Sequence, residues 1–304
     1  MEVLYGRPGA KEVVLTFGNF DGVHKGHVHV FREVVRLARM HNLASAVLTF
    51  SPHTATVVRN REQFLLIDFE RKVNLIADCG IEYLHVVEFC PSFAAMSPTA
   101  FIEDILVKRC MSKYVVVGTD CVFGRRCEGN LSTLHECAKV YGYEVVSVAP
   151  LTDDSGIVYS SSAVRECVEN GDMRSASLIL GRCHSVSGSV MRGSSRGRSI
   201  GFPTLNLSMA HTILPRLGVY SARVMIEADV WLQGIVNVGI RPTFSAEEAP
   251  ILEMHIFDFD QEIYGQKVTI ELVDFVRPER KFDSVEQLVI QIKKDIEEVR
   301  NSGR

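Results

Sequence analysis

The chain has 304 residues, 46% hydrophobic and 23% charged, with a formal net charge of −4. That leaves room for two ordinary domains with sizeable cores and excludes a disordered chain; the acidity excludes a global basic field for nucleic acid or an anionic membrane. No apolar run approaches the ~18 residues of a membrane span, the N-terminus lacks the shape of a signal peptide, and eight scattered cysteines without a CxxC pair read as reduced thiols in a cytoplasmic protein.

Taken in order, the first half alternates two periodicities. EVVLTF (12–17), ASAVLTF (44–50), YLHVVEF (83–89), YVVVG (114–118) and YEVVSVAP (143–150) read as strands. Between them, 27–41, 69–80, 97–110 and 130–142 have helical spacing, with Ser97 as an N-cap and Pro98 at the first helical position. Continuous β-branched strands alternating with helices predict a doubly wound parallel sheet covered on both faces. After about residue 181 the rhythm changes. HSVSGSVMRG, GVYSARVMIEADVWLQGIVNVG, ILEMHIFDFD and QKVTIELVDFVR are strand-like with no long helix between them. Turn signals at Glu227–Asp229 and Asp260–Gly265 separate them, the pattern of an antiparallel barrel or sandwich. An amphipathic helix over 284–300, capped by Ser284 with Gln287 completing a capping box, closes the chain. The expected division is a domain of residues 1–180, a doubly wound parallel sheet, followed by a β-barrel domain of residues 181–304 with a terminal helix; two short helical pieces join them near Gly171–Gly181.

The stretch GNFDGVHKGH (18–27) lies between the first of these strands and its helix. In a doubly wound sheet that is where ligands sit, and a helix N-terminus there offers free N–H groups and partial positive charge to an anion. Gly18, Gly22 and Gly26 let a phosphate approach the main chain. His24 and His27 are each able to donate a hydrogen bond to a phosphate oxygen, stabilising charge that shifts during displacement at phosphorus. The spacing points to a nucleoside triphosphate cradle; neither GxGxxG nor GxxxxGK[ST] is present. The plain alternative for a histidine beside a helix start is a cap or a solvated side chain.

The whole string resembles the signature of the nucleotidylyltransferase superfamily, in the form carried by bacterial bifunctional riboflavin kinase/FAD synthetases. TFSPH (49–53) resembles that family's second segment, with Thr54 where Pro is usual. VVVGTDCVFG (115–124) resembles its flavin- and nucleotide-adjacent strand end, with Cys121 where Phe is common, and YSSSAVR (159–165) resembles its SSTxIR motif. The resemblance implies transfer of AMP from ATP to the phosphate of FMN, giving FAD and pyrophosphate. It implies nucleotide contacts from Gly18, Asn19, Phe20, Asp21, Gly22 and Gly26, with His24 and His27 on the phosphates. It further implies that Ser161, Ser162 and Arg165 hold the triphosphate from the other side, and that Pro52, His53 and Asp120 meet the substrate. Asp21 or Asp120 would act through Mg²⁺ or orient a substrate; the alternative is an ordinary turn aspartate.

A second stretch, GSSRGRSIGFPTLNL (193–207), has glycines whose amides suit phosphates, then a segment stiffened by Pro203. Thr204 and Asn206 share a face if that segment is extended, and such hard oxygen donors suit Mg²⁺. It resembles the GRxxGFPTxN motif of riboflavin kinases, with Leu205 where Ala is common and expected to point away from the metal. That resemblance implies nucleotide contacts from Gly197, Gly201, Phe202 and Pro203. GIVNVGIRPTF (234–244) and DFDQEIYG (258–265) match the same family in order. Phosphorylating a primary alcohol benefits from a positioned base; Glu253, on the strand face opposite Leu252, Met254 and Ile256, stands where the family carries its catalytic Glu. His255 reads as structural or solvated, and Trp231 as packing or surface in place of flavin stacking. The expected partners are therefore ATP, riboflavin and FMN, with neither nucleic acid nor membrane, in a monomer or weak oligomer. Loss of one activity, with Thr54, Cys121 and Leu205 as the places to look, or a non-catalytic module that binds flavin, nucleotide or RNA, are the rival readings.

Overall fold

The computed structural model describes residues 1–193, 196–209, 212–226, 230–242 and 248–301. The turn expected at Glu227–Asp229, together with Ser194, Ser195, Thr243 and Phe244 of the quoted motifs, lies outside the described residues. The chain forms two compact units: Met1–Glu62 with Phe69–Ser160, and Gln63–Asp68 with residues from Ser161 onward.

The first unit is built on β1 (Glu2–Tyr5), β2 (Val13–Phe17), β3 (Ala44–Ser51), β4 (Tyr83–Glu88), β5 (Ser112–Gly118) and β6 (Glu144–Val148), all parallel, in the order β1-β4-β3-β2-β5-β6. Every residue of β2 is buried, as a strand covered on both faces requires. One face packs under α1 (Lys25–His41), whose Phe31, Val34, Leu37 and Ala38 are buried. Two short helices follow, α2 (Thr54–Arg59) and α3 (Phe69–Asp78), then α4 (Pro91–Ala94). The other face lies against Phe101, Ile102, Ile105 and Leu106 and against Leu134 of a later helix.

The helix expected over 97–110 starts as foreseen. Ser97 caps α5 (Pro98–Ala100) by accepting from the Ala100 N–H. It then continues as a π-helix over Phe101–Arg109, closing with the Cys110 N–H on the Ile105 carbonyl. The wider spiral brings Phe101, Ile102, Ile105 and Leu106 onto the sheet together. Helix α6 (Leu131–Tyr141) carries a capping box between Asn130 and Thr133. Three elements named above for this unit had no expectation: β1, four residues of which Leu4 alone is buried and which pair with β4 alone, α2, which follows the cis Ser51–Pro52 bond, and α4.

The second unit opens with α7 (Ser161–Asn170) and α8 (Met173–Leu180). Strands β7 (His184–Ser189), β8 (Leu205–Ser208), β9 (Gly218–Met225), β10 (Trp231–Pro242), β11 (Glu248–Ile256) and β12 (Lys267–Pro278) form an antiparallel sheet in the order β7-β12-β9-β10-β11-β8; the four-residue helix α9 (Arg196–Ser199) lies between β7 and β8. An antiparallel bridge between Met191 and Asn206 joins the two ends, so the sheet nearly closes into a barrel. Its interior is Leu205, Leu207, Val236, Val238, Leu252 and Met254, all buried. Helix α10 (Val285–Asn301) covers part of the outer face through Val299, which clusters with Val219, Ile235 and Phe257. Arg277, on β12, pairs with Asp295 of α10 at 2.8 Å in a nearly dry setting.

Among the described residues, each unit hides one histidine without a polar partner on either ring nitrogen, His85 on β4 and His184 on β7. Burial, helped by the charge of Arg109 and of Arg182 respectively, pushes each imidazole down to about 4.

Candidate active sites

Strand order decides where the first unit binds. From β2 the chain runs outward to β3 and β4, then returns across to β5 and β6, so the order switches between β2 and β5. Ligands of open parallel sheets sit beyond the strand ends at such a switch. The loops there are Gly18–His24 after β2 and Gly118–Gly124 after β5, with Ser51–His53 after the neighbouring β3.

The paired imidazoles stand at this point. His24 is the N-cap of α1, its Nδ1 accepting from the His27 N–H at 3.4 Å, so the helix begins at Lys25 and not near His27. The two rings stack with centroids 3.5 Å apart and planes at 26°. Phe20 meets His27 edge-on at 5.2 Å and Phe31 at 4.8 Å, so its ring is the wedge beneath the histidines. A Cβ at Gly26 would fall 2.9 Å from the Tyr159 carbonyl and 3.0 Å from the His24 ring. That glycine is therefore required by packing at the helix mouth.

The loop is strained. Phe20, Gly22 and Val23 have φ of 49°, 81° and 41°; for residues carrying a Cβ this left-handed region costs about 1–2 kcal/mol each. The Asn19 carboxamide grips Thr54 in both directions, Nδ2 donating to Oγ1 at 2.9 Å and Oδ1 accepting from the Thr54 N–H at 3.2 Å. A proline, which has no N–H, could not make the second bond. The departure at Thr54 thus adds a grip on Asn19. His53 caps α2, its Nδ1 accepting from Ala55 N–H at 3.0 Å.

Asp21 is buried, and its negative charge opposes the desolvation that pushes the ammonium of Lys72 down to about 8. Lys72 is a residue the sequence pattern did not single out. Its Nζ donates to the Asn19 carbonyl and to Thr49 Oγ1, each at 3.2 Å. Asp120 is exposed beyond β5, its carboxylate 2.7 Å from where a Gly118 Cβ would lie. Cys121 packs against the core, and burial together with the charge of Asp120 holds its thiol up to about 12.

Ser161 and Ser162 open α7 and Arg165 lies one turn on, all within the second unit. Arg165 Nε donates to the Phe64 carbonyl at 2.9 Å, with its guanidinium 5.4 Å from the Phe64 ring.

The second unit's polar cluster comes from strand register. Glu253 of β11 pairs with Asn206 of β8 on one side and Asn237 of β10 on the other. Directly opposed residues share a sheet face, so the three side chains form one row on the outside of the barrel, beyond the patch covered by α10. Asn237 was not foreseen; its Nδ2 donates to Glu279 Oε1 at 3.4 Å. Leu205 is buried on the opposite strand face from Asn206.

The glycine-bearing loop lies against both proposed metal donors. A Cβ at Gly193 would collide with the Asn206 amide, and one at Gly197 would strike the Phe202 carbonyl and sit 3.3 Å from Thr204 Oγ1. His255 Nδ1 lies 2.9 Å from the Pro203 carbonyl, and its ring meets Phe202 edge-on. Of the two alternatives, structural or solvated, its place is the structural one, and it anchors the Phe202–Pro203 segment. Thr204, Pro203, Leu205 and Arg198 line a pocket of about 70 Å³ bounded by Phe259–Tyr264.

Among the described residues no three His, Cys, Asp or Glu side chains converge to hold a metal ion. Thr204 and Asn206 instead offer a sparse set of hard oxygens. That set fits Mg²⁺, which takes few protein ligands and completes its shell with water and phosphate.

A family described as FAD synthetase matches residues 7–162, and one described as riboflavin kinase matches residues 180–302. The bifunctional riboflavin kinase/FMN adenylyltransferase of Listeria monocytogenes is 36% identical over 290 residues, covering 94% of this chain and 91% of that protein. Its namesake from Bacillus subtilis is 35% identical, with 94% and 90% covered. A crystal structure described as a macrolide-efflux protein from Streptococcus pneumoniae is similar with a TM-score of 0.88 at 31% identity, covering 99% of both chains. No helix among the described residues of this chain is long and apolar enough to cross a membrane.

Proposed function

This chain belongs to the bifunctional riboflavin kinase/FMN adenylyltransferase family, and from that premise we propose that it converts riboflavin to FMN and FMN to FAD, each step using ATP. The first reaction takes place in the barrel unit and the second in the parallel-sheet unit.

In the kinase step Glu253 accepts the proton of the riboflavin 5′-hydroxyl as its oxygen attacks the γ-phosphorus of ATP, and ADP leaves. Asn206 and Asn237 flank Glu253 in the strand register. Thr204 and Asn206 would hold Mg²⁺, which when bound neutralises phosphate charge. The amides of Gly197 and Gly201, with Phe202 and Pro203, form the nucleotide wall.

The adenylyl step needs no base, because the FMN phosphate is already an anion. One of its oxygens attacks the α-phosphorus of ATP and pyrophosphate leaves. The work is alignment and charge stabilisation. His24 and His27 donate to the phosphates at the N-terminus of α1, where the helix dipole favours negative charge. Gly18, Asn19, Phe20, Asp21, Gly22 and Gly26 shape the cradle. Pro52, His53 and Asp120 bound the flavin substrate. The eight cysteines are free thiols, which supports a cytoplasmic setting.

The observation that carries this reading is that each unit has its own polar cluster suited to phosphate chemistry: stacked histidines at a strand switch, and a carboxylate between two asparagines on a barrel face. The test is incubation of the protein with riboflavin, ATP and Mg²⁺, followed by chromatography of the flavins. FMN appearing first and FAD after it is the expected result. FMN alone would overturn the adenylyl assignment, and unchanged riboflavin would overturn the kinase assignment.

A further inference from the structure

The loop Phe20–Val23 holds two residues with side chains in the left-handed region, a backbone shape that persists only where its surroundings over-determine it. The anchor is the residue just before it. The Asn19 carbonyl accepts from two groups of different elements, Thr49 Oγ1 on β3 and Lys72 Nζ on α3, each at 3.2 Å. Lys72 also donates to Thr49 Oγ1, closing a three-membered network.

Lys72 is only 7% exposed, with its ammonium 5.1 Å from the Phe69 ring. Burying an ammonium is costly unless it is well bonded. Helix α3 could seal this edge of the sheet with an apolar side chain, as Ile76 does one turn later. The lysine brings charged donors where an apolar residue would bring none: one acceptor, the Asn19 carbonyl, lies beside the strained loop, and the other, Thr49 Oγ1 on β3, donates to that same carbonyl.

We propose that Lys72 is a positioning residue of the first site, which draws the Asn19 carbonyl inward and so keeps the Phe20–Val23 turn and the His24 cap in the arrangement that receives phosphate. Lys72 itself touches no reacting atom; it acts through Asn19. The catalytic part of this inference rests on the adenylyltransferase reading of the first unit. The clamp itself does not.

The test uses the full chain with Lys72→Met, which keeps the length of the side chain and removes its donors. Misplacement of an aligned group is felt in turnover. The kcat for FAD formation from FMN and ATP is expected to fall ~10–100-fold, with the KM for ATP within threefold and riboflavin phosphorylation within twofold. Backbone amide exchange in residues 18–24, followed by mass spectrometry, is expected to accelerate at least ~10-fold. Lys72→Arg, which keeps donors, is expected to recover part of both. Thr49→Val, which leaves the lysine in place, is expected to move both readouts in the same direction by less, and it decides the matter should Lys72→Met not fold. Unchanged exchange in 18–24, or FAD formation within twofold of the native chain, overturns the proposal. If the native chain makes no FAD, the adenylyltransferase reading falls while the exchange measurement still decides whether Lys72 is the clamp.

Discussion

The two units assemble their polar clusters by opposite means. In the parallel sheet, Gly18 to His27 are neighbours in sequence, and the cluster depends on the shape of one loop. In the barrel, Asn206, Asn237 and Glu253 come from three strands, and the cluster depends on register. A loop can be distorted, so the first site needs braces from β3, α2 and α3. A register held by backbone ladders on both sides of β11 needs no such brace. The first site is therefore vulnerable to changes outside it, whereas the second is vulnerable mainly in its own row.

Substitutions that separate the two activities test this contrast most directly. Glu253→Ala is expected to lower FMN formation ~10²–10⁴-fold, the range for a positioned general base, and to leave FAD formation from supplied FMN intact. His27→Ala is expected to do the reverse, lowering FAD formation ~10²–10³-fold, the scale of one lost donor to a transition-state charge. Flavin chromatography with each substrate measures both. A folded variant losing both activities would refute the separation.

The buried histidines give a prediction shared by both units. His85 and His184 stay neutral when folded, with values near 4, but take up a proton near 6.5 when unfolded. Between these values the unfolded chain binds more protons, so stability falls as pH drops from 6.5 towards 4. Each can contribute about 3 kcal/mol of that loss. Urea unfolding across this range checks it; His85→Leu should flatten the acid limb of the first unit, and an unchanged limb would assign it to other groups.

The smallest effect is expected at Thr54. Thr54→Ala removes the hydroxyl that Asn19 bonds while retaining the N–H that Asn19 accepts from. One hydrogen bond is worth about 1 kcal/mol, so FAD formation should fall a fewfold and FMN formation not at all. Equal kinetics in both reactions would show that the Asn19–Thr54 bond does not brace the first site.

Much of this was legible from residue order. The continuous apolar runs of β2, β3 and β5 announced a sheet covered on both faces, and the alternation of Leu252, Met254 and Ile256 with Glu253 and His255 announced which side of β11 faces solvent. The motifs located both clusters and named the family. Four-residue β1 carried too weak a pattern, since an edge strand needs only one partner. The π-helical turn over Phe101–Arg109 was hidden because its apolar residues satisfy the α-helical period nearly as well. Lys72 read as one more charge on an amphipathic helix.

The sequence by itself determined the two fold classes, the histidine pair, the glycine-bearing loops and the candidate base, because periodicity and short motifs are local properties of a chain. Only the tertiary structure decided that His24 caps its own helix, that Asn237 joins Glu253 and Asn206, and that Lys72 is buried against the Asn19 carbonyl. These depend on which distant segments are brought together, and burial and register are set by packing that no single segment encodes.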